Sequence, residues 1–116
     1  MRAPKAAIAL LLAAMLAGCR AHMLTIRLVN TSAEPLSTII VDYPSATFGK
    51  DKLAPGETFS SPVKITDAGP LKVQFSDAKD AIHTYTLAVL HPNAEGSIEI
   101  QLNQASAVTV PHLNPP

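Results

Sequence analysis

From Leu24 to Val110 apolar and polar side chains alternate residue by residue, in short runs separated by turn-forming residues. A period of two belongs to the extended strand, whose successive side chains point to opposite faces, whereas a helix needs apolar residues three and four apart. No window in this stretch carries the helical spacing. The chain is thereby confined to an all-β fold in which each strand buries one face and wets the other.

Each run has its own boundary. Leu24, Ile26 and Leu28 alternate with Thr25, Arg27 and Val29 until Asn30-Thr31-Ser32 breaks the pattern. Leu36 to Tyr43 is rich in branched residues, with Ile39, Val41 and Tyr43 expected on one face, and Pro44-Ser45 ends it. A weaker strand is expected over Ala46 to Lys52. Leu53-Ala54-Pro55-Gly56-Glu57 then reads as a tight turn, because proline presets φ at its second position and glycine accepts positive φ at its third. Thr58 to Ile65 is the next strand; Pro62 removes a ladder donor, which predicts an edge or a bulge.

The second half repeats the grammar. Leu71, Val73 and Phe75 alternate with Lys72, Gln74 and Ser76, and Asp77-Ala78-Lys79-Asp80 turns the chain into Ile82 to Leu90, where His83 alternates with Tyr85, Leu87 and Val89. After the turn Pro92 to Gly96, Ile98, Ile100 and Leu102 alternate with Glu99, Gln101 and Asn103, and Val108 to Val110 adds a short last strand. Seven or eight strands in about 100 residues predict an antiparallel β-sandwich of immunoglobulin-like size, with a small barrel as the runner-up. The cysteine pair and core tryptophan of true immunoglobulin domains are missing, so the expectation concerns architecture and carries no function. The sandwich is expected over residues 24–110, with 111–116 as a flexible tail.

The amino-terminal end obeys a different rule. Arg2 and Lys5 precede an apolar stretch from Ala6 to Leu16, and next comes Leu16-Ala17-Gly18-Cys19, containing the only cysteine of the chain. A charged start, a short apolar core and small residues are the parts of an export signal. About 11 apolar residues fall short of the ~20 that a membrane-spanning helix needs. The Leu-Ala-Gly-Cys run resembles the lipobox of bacterial lipoproteins. That resemblance implies cleavage before Cys19 after a diacylglyceryl group has joined its sulfur, with palmitate-type acyl chains holding the product on the membrane. Leu16, Ala17 and Gly18 would be the residues read by the signal peptidase. Residues 1–18 would form the signal peptide as a helix, and 19–23 a lipidated tether. Aspartate after the cysteine is the retention mark for the inner membrane; Arg20 stands there instead, which favours the outer membrane in a host with two. The whole resembles small envelope lipoproteins that carry a sandwich domain facing the periplasm. Leu53-Ala-Pro-Gly-Glu57 also recurs before strands in secreted bacterial sandwich domains, as turn chemistry.

Charge narrows the partners. The chain has 9 basic and 9 acidic residues, and losing Arg2 and Lys5 with the signal leaves 7 against 9. A net charge of about −2 argues against a nucleic-acid surface. With Cys19 lipidated no disulfide can form, so apolar burial alone must hold the fold.

Chemistry-bearing residues are sparse. None of His22, His83, His91 and His112 is two to five residues from another histidine, so no zinc-ligand pair of histidines appears. His83 reads as a sheet-face residue. Asp77, Asp80 and Ser76, with Asp67 a strand earlier, supply too few oxygens for calcium, and Asx-turn hydrogen bonding is the expected role. Ser60-Ser61 has no nucleophile elbow around it. The expectation is a protein that is no enzyme, with no metal and no cofactor. It would be attached to the membrane through its lipid and would meet an envelope protein partner through an exposed strand edge, in Thr58–Ile65 or near the carboxyl end. A small-molecule or lipid-binding module with an apolar pocket is the alternative.

Overall fold

A computed structural model of the protein describes residues 22–114. Leu16, Ala17, Gly18, Cys19, Arg20 and the expected signal helix lie outside the described residues. Those described form eight strands: β1 (Leu24–Asn30), β2 (Leu36–Tyr43), β3 (Ala46–Leu53), β4 (Thr58–Val63), β5 (Gly69–Ser76), β6 (Ile82–Leu90), β7 (Gly96–Asn103) and β8 (Ser106–Leu113). They make two four-stranded sheets, ordered β4-β1-β7-β8 and β3-β2-β5-β6. The fold is an all-β sandwich. Five of the strand pairs are antiparallel, while β1 and β7 run parallel, β4 having returned from the second sheet to one side of β1 and β7 later to the other.

The alternation decides what is buried. Leu24, Ile26 and Leu28 of β1 and Ile98, Ile100 and Leu102 of β7 meet Leu36, Ile39 and Val41 of β2 and Leu71, Val73 and Phe75 of β5. The four central strands thus supply twelve of the sixteen buried apolar side chains; Leu53, Val63, Ile65 and Leu90 close the ends.

Two bulges adjust this pattern. Leu36 and Ile39 are out of phase for a regular strand, yet both are buried. Thr38 takes φ 48° and inserts one extra residue between the pairs Ser37–Ser76 and Ile40–Gln74, which brings the two into phase. On β6 an extra residue lies between the pairs Lys72–Thr86 and Pro70–Val89. It corrects the expected face of His83, Tyr85, Leu87 and Val89: beyond the bulge Val89 turns outward, 65% exposed, and Leu90 turns in.

The ends of two strands also differ from expectation. β4 stops at Val63, but Ile65 stays buried while its carbonyl accepts the Asn93 N–H at 2.8 Å. β8 does not stop at Val110: Pro111, His112 and Leu113 pair with Ile98, Ser97 and Gly96. The sheet therefore takes in the first three residues of the expected flexible tail, because β7 begins early enough to present partners to them. Gly96 itself has φ 109° and packs against β8 so tightly that a Cβ would lie 2.3 Å from the His112 carbonyl oxygen. The turn at Ala54–Glu57 forms as read, with Gly56 at φ 76° and the Glu57 N–H donating to the Ala54 carbonyl at 2.9 Å.

Asn30 is the one buried polar residue among those described, at 0% exposure. Its amide donates to the carbonyls of Glu34 (2.8 Å) and Leu53 (3.0 Å), and its side-chain oxygen accepts from the N–H and hydroxyl of Ser32 (2.9 and 2.7 Å). It ties β1 of one sheet to the end of β3 in the other.

Candidate functional site

The expected histidine and aspartate positions come together at one place only. Asp77 opens the β5–β6 hairpin; its Oδ1 accepts the N–H groups of Lys79 (2.8 Å) and Ala81 (3.0 Å), and its Oδ2 lies 2.8 Å from His83 Nε2. Its hydrogen bond with His83, followed by the backbone bonds, holds the Asp77 carboxyl below its usual value of 3.8. The His83 ring stacks with both Phe75 (centroids 5.4 Å apart) and Tyr85 (6.3 Å), and those two rings also stack with each other (5.9 Å). Both carboxylate oxygens of Asp77 are engaged in the turn, so the pair pins a hairpin. Asp80 sits in the same turn at φ 63°, and Asp67 accepts from Thr66 in a different loop. Among the described residues no group of three His, Cys, Asp or Glu side chains converges as a metal site. Ser60 and Ser61 lie on β4, paired with Arg27 and Ile26.

The strand edges are more distinctive. The sandwich has two open sides, one formed by β3 and β4 and the other by β6 and β8. The β3–β4 side is blunted in the ways by which natural sheets avoid unwanted pairing. Lys50, Asp51 and Lys52 are on β3 and Pro62 is on β4. Phe48 and Phe59 bridge the sheets with centroids 6.3 Å apart, and Lys50 Nζ lies 5.0 Å from the Phe59 ring.

The β6–β8 side carries no charged guard, and its one proline is Pro111 near the end of β8. Neither the nine residues of β6 nor the eight of β8 include Lys, Arg, Asp or Glu. Ile82 on β6 is 68% exposed and Val108 on β8 is 55% exposed. Of the two places expected to offer an edge, the carboxyl-terminal one is free of charge, whereas Thr58–Ile65 has the Phe48–Phe59 contact beside it and lacks a backbone donor at Pro62. The absence of charge in both strands is countable in the sequence; that β6 and β8 share one side is a matter of strand order.

A recess of about 430 Å³ lies at the end of the sandwich where residue 22 enters. Val89, Leu90, Pro92, Ala94 and Leu113 form its apolar wall, with His22, His91 and Glu95 at its polar margin. His22 Nδ1 is hydrogen-bonded to Glu95 Oε1, and the Asn114 N–H donates to the Glu95 carbonyl at 3.0 Å. The recess is at the tip, outside the packed layer between the sheets. Sequence reasoning misses it because strand parity points Val89 inward and places Leu113 beyond the last strand.

No family model matches the chain, and no curated protein matches it. Among solved structures it is similar to the NMR structure of a protein from Eubacterium rectale, at 15% identity and a TM-score of 0.57, over 77% of this chain and 87% of that one. At this identity the likeness is one of fold.

Proposed function

We propose that this protein is a lipid-anchored, non-catalytic component of the bacterial envelope that recruits a protein partner along the β6–β8 side of its sandwich. The lipobox-like Leu16-Ala17-Gly18-Cys19 supports the anchor and a periplasm-facing position. The observation that carries the partner role is the charge-free pair of edge strands, β6 and β8, beside a guarded β3–β4 side. An edge strand leaves the N–H and C=O groups of alternate residues unpaired, and an added strand satisfies them while its side chains meet the exposed Ile82 or Val108. Long, uncharged edges are an aggregation hazard in a free protein, so a sequence that keeps one gains from having it covered.

A photo-crosslinking residue placed at Ile82 or Val108, and at Lys52 as the control edge, tests this in living cells. A single reproducible envelope protein crosslinked from position 82 or 108 and absent from position 52 is the expected result. Crosslinks of equal yield from all three positions, or from 52 alone, would overturn it. Val108→Lys and Ile82→Lys should abolish capture without unfolding the domain, since both side chains are solvent-facing.

A further inference from the structure

We infer that the tip of the sandwich around residue 22 docks onto the lipid bilayer itself, with Met23, Val89 and Leu113 entering the headgroup–acyl boundary. The inference rests on the lipid anchor proposed above and concerns a different surface from the β6–β8 edge midsection.

Among the described residues six large apolar side chains are markedly exposed, and Met23 (41%), Val89 (65%) and Leu113 (46%) lie at this one tip. Register places them there. Met23 immediately precedes Leu24, Leu24 pairs with Gly96, and Gly96 pairs with Leu113. Val89 and Leu113 line the same recess as His22. Local structure builds the exposure: the β6 bulge turns Val89 outward, and the β7 pairing carries β8 on to Leu113.

Chain length identifies the occupant. Cys19 precedes His22 by three residues, so its sulfur-bearing residue can lie no farther than about 10 Å from the tip along an extended chain. Apolar faces of surface-bound elements enter the boundary region by about 5–10 Å, the same scale. A domain on so short a leash has its tip at the membrane whatever its tilt. Electrostatics raises no obstacle, because among the described residues Glu95 is the one acidic side chain that lines the recess, and it is hydrogen-bonded to His22. A second protein chain seated on the tip would have to fit between the domain and the bilayer within that leash.

The chain contains no tryptophan, so one introduced residue reports alone. Leu113→Trp, Val89→Trp and, at the far end of β6, Ile82→Trp would each be made in the full lipidated chain. The proteins are reconstituted into phosphatidylethanolamine–phosphatidylglycerol vesicles with or without lipid brominated in the upper acyl chain. Tryptophan at 113 and at 89 is expected to shift to the blue and lose most of its emission to bromine, while tryptophan at 82 keeps its emission. Proteins that float with the vesicles but show no more quenching at 113 and 89 than at 82 overturn the docking and leave the anchor standing. Failure of the lipidated chain to float overturns the anchor, and the docking with it. Cys19→Ser carrying Leu113→Trp is expected neither to float nor to be quenched, because three side chains without acyl chains hold the surface too weakly.

Discussion

Replacing Asn30 is the sharpest test of how the two sheets are joined. The side chain is fully buried and makes four hydrogen bonds, two as donor to the Glu34 and Leu53 carbonyls and two as acceptor from Ser32. A typical bond contributes about 0.5–1.5 kcal/mol net. In Asn30→Ala, water can reach Ser32 and Glu34, which are partly exposed, but the bond to Leu53 is lost in the interior. The expected loss is therefore about 2–3 kcal/mol, short of the full sum of four. With a urea m-value of about 1–3 kcal/mol/M, the unfolding midpoint should fall by about 0.7–3 M. Asn30→Asp is the more discriminating variant. It puts carboxylate oxygens where an amide donated at 2.8 and 3.0 Å, facing two carbonyl oxygens. An uncompensated buried charge costs about 3–5 kcal/mol. Burial disfavours the charged carboxylate, so this variant should regain stability as pH falls from neutral toward the ordinary carboxylate range. Asn103→Ala is the control: its exposed side chain accepts only the neighbouring Gln104 N–H, and a change within about 0.5 kcal/mol is expected. Urea titrations followed by circular dichroism read all three. If Asn30→Ala unfolds with the midpoint of Asn103→Ala, or Asn30→Asp equals the wild type at neutral pH, Asn30 does not staple the sheets.

Further expectations concern single positions. Gly56→Ala meets no atom within 4 Å and should lose only the about 1–2 kcal/mol of left-handed backbone, whereas Gly96→Ala drives a Cβ into the His112 carbonyl and should lose distinctly more; equal thermal shifts would contradict the close approach of β7 and β8. Phe75→Ala, at a fully buried site beside the His83 and Tyr85 rings, should cost about 3–5 kcal/mol in denaturant unfolding. Because the folded Asp77 carboxyl titrates below its usual 3.8, its contribution is fully present above that value and is lost as pH falls through the lower folded value. Asp77→Asn should accordingly flatten the acid limb of the stability profile, and a carboxyl NMR titration of Asp77 reaching its midpoint at or above 3.8 would contradict the His83 hydrogen bond.

The β6–β8 side and the tip propose a division of labour within a small domain. On these two proposals the tip would meet the membrane, and the edge would present backbone to the periplasm. The two surfaces use different positions along the same strand, so substitutions at Val108 and at Leu113 should separate partner capture from bilayer contact even though both residues are on β8.

Alternation is a local property, and it is enough to identify the strands. The leucine and isoleucine positions of β1, β5 and β7 each bury the face that a period of two assigns them, because a regular strand translates sequence parity directly into side-chain direction. The Pro55-Gly56 turn is equally legible, since its backbone angles are dictated by those two residues. Parity fails wherever one residue is inserted. Thr38 and the β6 bulge reverse the facing of the residues beyond them, and neither carries a glycine or proline to announce it. Parity therefore misplaces Leu36 and Val89, and Val89 is a residue on which the proposed bilayer contact depends. The length of β8 and the burial of Asn30 are hidden for another reason. Each is set by a residue across the sheet or across the sandwich, Gly96 in one case and Leu53 in the other. The sequence alone determined the class of fold, the turns and the composition of each edge. Only the tertiary structure decided which edges stand together, which side is guarded, and which apolar residues are left facing solvent, because those depend on strand order and register, which join residues remote along the chain.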